Sequence, residues 1–180
     1  METYTEARDF VDDPDFAARR AESLGNLDMS VIDEPIVDII DTLSKVPYCY
    51  TLQCCCGHFV HESQTDPHGS APLAHYSEDT TVEYRIAYLA VCIQPVEAGT
   101  RLRADLRDVV RIDPQYIQFG SADWFWQSHV NSHVLQVEPE RFKLKDTVML
   151  NIPEVLRIQS VKNRFFERIR EIGRTHLPRV

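Results

Sequence analysis

No run of apolar residues in this 180-residue chain approaches the ~20 that a membrane-spanning helix needs, which excludes a helical membrane anchor within it. The opening residues Met1 to Glu6 are acidic, and no basic stretch followed by an apolar one precedes the first helix pattern. A secretory signal is therefore not expected, and a cytoplasmic location is. Glycine is scarce, six residues in all, and none falls in G-x-x-x-x-G-K-[ST] or G-x-G-x-x-G. P-loop and Rossmann nucleotide sites are thereby unsupported. Five cysteines are present, but the Cys54-Cys55-Cys56 run does not match the paired C-x₂₋₄-C spacing of common structural zinc modules, and no second cysteine pair follows it. Three of them are adjacent, so a disulfide framework is not expected either.

What the chain does contain is an ordinary globular balance, 43% hydrophobic and 26% charged, enough for one domain over residues 1–180. The net charge is −9, and the acids concentrate in the first half. The last quarter carries Arg157, Lys162, Arg164, Arg168, Arg170, Arg174 and Arg179. A basic face of that kind can hold a phosphate backbone such as tRNA. Its ordinary reading is a solvated helix face with internal ion pairs.

Asp13-Pro14 predicts a helix start, with Gly25 as its stop. Ile36, Ile39, Ile40 and Leu43 recur at one helical stripe after Asp33-Glu34-Pro35, and Asp33 is placed to cap that helix. Residues 48–54 alternate as a strand that Gly57 interrupts. Residues 59–80 are rich in Ser, Thr, Pro, Gly, Asp and His, which predicts a long flexible loop. Residues 81–93 predict a central strand, with Val82, Tyr84, Ile86 and Tyr88 on one face and Ala87, Leu89, Val91 and Ile93 on the other. A helix follows over 96–110, then strands over 115–127 and 132–138, and Pro153 opens the last helix. This order predicts a single layered α/β or α+β domain with a mostly antiparallel mixed sheet flanked by helices.

The chemistry concentrates in Thr51-Leu52-Gln53-Cys54-Cys55-Cys56-Gly57-His58. In a strand Cys54 and Cys56 share one face, His58 continues their parity, and Cys55 points the other way. Cys54, Cys56, His58 and His61 are one candidate tetrahedral metal set, and His68, His75, His129 and His133 also lie in the chain. A second reading is a cysteine nucleophile paired with His58, His61, His129 or His133. A third is anion binding by the backbone N–H groups around Gly57. Trp124 and Trp126 share a face if their segment is a strand, and could stack a ring.

Two segments, Leu27 to Ile36 and Tyr50 to His58, resemble the tRNA wybutosine-synthesising methyltransferase family. Asp28, Ser30, Asp33, Glu34, Thr51, Cys55 and Gly57 match its pattern, and the last helix, with Lys162-Asn163-Arg164, is similar to its basic C-terminal helix. The pattern's two serines are here Gln53 and Cys54, the small residue after its cysteine is Cys56, and its arginine is His58. The resemblance implies S-adenosylmethionine as cofactor and tRNA as partner through the basic last helix. It also implies a ligand site of Ser30, Asp33, Glu34, Thr51, Cys55, Gly57 and His58, which Trp124 and His129 would complete. The residue chemistry alone supports two alternatives: a Cys/His metal-binding protein with zinc as its cation, or a non-catalytic assembly protein on the same fold.

Overall fold

The computed structural model describes residues 4–61, 68, 73, 76, 77, 80–142 and 145–178. His75 and most of the expected 59–80 loop lie outside them. Six strands form one sheet: β1 (Tyr4–Glu6), β2 (Cys49–Val60), β3 (Thr81–Ile93), β4 (Ile117–Ala122), β5 (Ser132–Val137) and β6 (Thr147–Asn151). Their order is β1-β4-β5-β3-β2, with β6 also paired to β3, and every described pairing is antiparallel. The helices are α1 (Phe16–Gly25), α2 (Val37–Ser44), α3 (Glu97–Asp108), α4 (Asp123–Ser128) and α5 (Ile152–Thr175). The chain is thus an α+β domain.

The stripe Ile36, Ile39, Ile40 and Leu43 is buried, as its spacing requires, and packs with Val161, Phe165 and Ile169 of α5 in the main core. Asn151 caps α5 by accepting from the Glu154 N–H at 3.0 Å, and a proline follows in the first turn. Smaller clusters form around Phe16 of α1 with Tyr50 and Cys92, and around Phe125 of α4 with Ala90, Ala122 and Val134. In β3 the inward parity changes at Ile86–Ala87: Val82, Tyr84 and Ile86 reach the main core, and so do Ala87, Leu89, Val91 and Ile93. At that point the Ala87 N–H donates to Tyr84 Oη at 3.0 Å rather than keeping a regular ladder.

Three expectations change. β2 does not stop at Gly57 but passes through it to Val60. Residues 123–128 are helical, not a continued strand: Phe125 turns inward to fill the Ala90–Val134 cluster while Trp124 is 69% exposed. Packing of one aromatic there overrides the strand propensity of three. The short strands β1 and β6 carry too few residues to register as periodic signals.

Two buried titratable groups act on stability in opposite pH ranges. His133 is fully buried against Phe10, Phe119 and Trp126, and neither ring nitrogen has a partner. Burial, then Arg103 and Arg107, depress its pKa to about 3. Its contribution is complete above the unfolded value of ~6.5 and is lost as pH falls toward 3. Glu138 is fully buried, Gln136 Nε2 donates to its Oε2 at 3.1 Å, and its Oε1 has no partner. Burial and then Asp146 raise its pKa to about 9. Its contribution is complete below the unfolded value of ~4.5 and is lost as pH rises toward 9. Glu138→Gln is therefore expected to gain on the parent as pH rises from 5 to 8, by up to about 4 kcal/mol at ~1.36 kcal/mol per unit. Urea unfolding at both pH values measures this, and a difference independent of pH would contradict it.

Candidate metal centre

β2 is an edge strand, and an open edge carries unpaired N–H groups. One of them is satisfied by Asp33, whose Oδ2 accepts from the Cys56 N–H at 2.8 Å. Asp33 occupies the cap position of the Glu34–Ile36 turn but makes no side-chain cap bond there. Its carboxylate is spent on the strand instead. That places Asp33 Oδ2 3.4 Å from His58 Nε2. On the same strand, Cys56 Sγ lies 2.8 Å from Nδ1 of His68. Ligand atoms of Asp33, Cys56, His58 and His68 all lie within 4.8 Å of one another. Four ligands held ~2.0–2.3 Å from one tetrahedral ion stand roughly 3.3–3.8 Å apart, so small side-chain movements close the shell.

The charge states suit a cation. Asp33 is partly buried, which alone would raise its pKa, but hydrogen bonds from Cys56 and the proximity of His58 hold it below the ordinary carboxylate value. His58 is held below the ordinary imidazole value by burial, with His68, Lys162 and Arg85 adding to the effect against Asp33. It is therefore a neutral imidazole at neutral pH. Burial, then Asp33, push the Cys56 thiol well above its usual range. Cys56 is accordingly a poor nucleophile on its own, and its thiolate needs a cation beside it.

Lys162, from α5, is 3% exposed and fixes the site's frame. Its Nζ donates to the Gly57 carbonyl at 2.8 Å and to the His68 carbonyl at 3.0 Å, and lies 4.9 Å from the Phe59 ring centre. It thus ties His68 to β2. Its charge favours the Cys56 thiolate and opposes a cation, so it tunes affinity in both directions. Gly57 adopts φ +78°, and a Cβ there would meet Ala87 Cβ at 2.8 Å. Only glycine lets β2 approach the irregular point of β3 so closely.

The structure separates the expected metal set. Cys56 and His58 are in the cluster; Cys54 and His61 are not. Cys54 sits two residues before Cys56, ~6.6 Å back along the strand, and packs on the main core. Burial, Asp33 and Cys55 raise its pKa to about 11. His61 is three residues past His58, on the opposite parity, and its ring packs against Tyr76 at 5.7 Å. Asp33 and His68 replace them, and no spacing rule links residues so far apart.

The remaining candidates scatter. Cys55 accepts from the Gly57 N–H at 3.4 Å and shares a cavity with Gln53 and Tyr88. The Ser30 hydroxyl and N–H both donate to Asp28, a local turn. Glu34 lines a surface cavity with Asp38 and Arg170. Thr51 Oγ1 is buried without a partner. His129 Nδ1 lies 3.2 Å from Tyr50 Oη, beside the smaller Phe16 cluster. Of the basic last helix, Lys162 is buried, and Arg157, Arg168 and Arg170 pair with Asp113, Glu171 and Asp38.

No protein-family description matches this chain, and no curated protein does. The PH1069 protein from Pyrococcus horikoshii is similar in structure at 12% identity, with 90% of this chain and 96% of that chain covered and a TM-score of 0.49. A second structure of that protein, from strain OT3, gives 14% identity, 91% and 92% coverage, and a TM-score of 0.46. A hypothetical protein from Aeropyrum pernix gives 9% identity, 79% and 98% coverage, and a TM-score of 0.43. At these values the likeness carries no functional argument.

Proposed function

We propose that this chain is a metal-binding protein that holds one zinc-class divalent cation through Asp33, Cys56, His58 and His68. The observation that carries the reading is the convergence of these four ligand atoms within 4.8 Å. One thiolate, two imidazoles and one carboxylate suit Zn²⁺; magnesium and calcium prefer all-oxygen shells. A bound ion would cross-link the Asp33 turn, the edge strand and His68. Binding at pH 7.5 is expected to release about one proton per ion, because the Cys56 thiol is the ligand that must ionise. Zinc titration by calorimetry in two buffers of different ionisation enthalpy measures this. Absence of saturable binding would sink the proposal.

A second reading is favoured by one contact. The Asp33–Cys56 hydrogen bond, 2.8 Å, joins the two segments that resemble the wybutosine-synthesising methyltransferase family. On that reading the same strand end positions S-adenosylmethionine and a tRNA nucleoside by proximity. Calorimetric titration with S-adenosylmethionine, with and without tRNA, tests it; no heat in either case removes it.

A further inference from the structure

We infer that the metal centre has a small-molecule subsite beside it, shaped for a carboxamide- or hydroxamate-class ligand. This inference rests on the metal reading above. A cavity of ≈ 240 Å³ is bounded by two of the four ligands, Cys56 and His68, and by Gln159, Asn163 and Phe166 of α5. At ~30 Å³ per water that is about eight water volumes, room for a ligand of roughly as many heavy atoms. An ion held at Cys56 and His68 is therefore reachable from the cavity, and a ligand oxygen there would add a fifth position to the four protein ligands.

The α5 wall identifies the ligand's second requirement. Gln159 Nε2 donates to Asn163 Oδ1 at 2.7 Å. Gln159 Oε1 is then buried with no hydrogen-bond partner. A buried acceptor without a donor costs ~1–3 kcal/mol, and a bound N–H group recovers it. Lys162 supplies no such donor, since its Nζ is directed to the Gly57 and His68 carbonyls. Phe166 offers an apolar wall. A ligand that suits these groups presents an oxygen to the ion and an N–H to Gln159, with a short apolar tail. Primary carboxamides and small hydroxamic acids have that arrangement.

The test uses the full chain loaded with Co²⁺, whose visible absorption reports its ligand shell, and acetohydroxamate as the probe. The parent protein is expected to show a saturable change in the cobalt bands on addition of acetohydroxamate. Gln159→Leu is expected to keep the cobalt bands and weaken acetohydroxamate about tenfold, the equivalent of one neutral hydrogen bond. Normal cobalt bands that acetohydroxamate leaves unchanged overturn the subsite and leave the metal reading standing. Equal affinity in parent and Gln159→Leu overturns the assignment of the α5 wall. Failure to load cobalt at all overturns both.

Discussion

Cys56→Ser is expected to weaken zinc binding by more than ~100-fold, whereas Cys54→Ser is expected to change it less than ~3-fold. The two cysteines are two residues apart on one strand, similar in chemistry, and share one face of the sequence pattern. Only their positions relative to Asp33, His58 and His68 separate them. Cys56 Sγ lies 2.8 Å from His68 Nδ1, while Cys54 packs on the main core. His58→Ala should behave like Cys56→Ser, and His61→Ala like Cys54→Ser, since His61 faces Tyr76. Competition with a chromophoric zinc chelator gives the affinities of the parent and the four variants. Equal losses at Cys54 and Cys56 would show that the ion is held by the cysteine run as a whole rather than by this cluster.

Gly57→Ala is expected to destabilise the fold by about 3 kcal/mol or more, a large effect for one methyl group. Two costs act together. The residue sits at φ +78°, where side chains with a Cβ are strained, and the new Cβ would lie 2.9 Å from the Ala87 backbone nitrogen. Relief requires β2 to move away from β3. That movement would also shift the Gly57 carbonyl from Lys162 and the Gly57 N–H from Cys55. The variant should therefore lose zinc affinity along with stability. Guanidinium unfolding of the metal-free protein isolates the first effect; a loss under ~0.5 kcal/mol would mean that the strand accommodates a side chain there.

The parts of the fold that were legible in the sequence are those with a repeating apolar period. The α2 stripe is buried, and so are most of the apolar positions that spacing selects in β3, α3 and α5, although Leu156 of α5 is 41% exposed. What was not legible has specific causes. Trp124 and Trp126 mimic strand alternation, but the packing of Phe125 decides the segment. Gly57 looks like a breaker, yet its positive φ is what allows the strand to continue.

At the site, local parity put Cys56 and His58 on one face, and both belong to the cluster. Asp33 was assigned to a helix cap by its neighbours, and only the edge position of β2 redirects its carboxylate to the Cys56 N–H. His68 has no periodic or spacing signal, and its carbonyl accepts from Lys162, from the far end of the chain. The same contact explains why the basic last helix reads differently in three dimensions. Its lysine faces the site, and Arg157, Arg168 and Arg170 face acids of their own protein.

X-ray absorption at the zinc K-edge on the zinc-loaded full chain tests the account most directly. The expected first shell is one sulfur at ~2.3 Å and three nitrogen or oxygen atoms at ~2.0–2.2 Å, with imidazole scattering beyond. A shell with two or three sulfurs would place the ion on the cysteine run, and one of oxygens alone would place it away from Cys56; either result contradicts the assignment of Asp33, Cys56, His58 and His68.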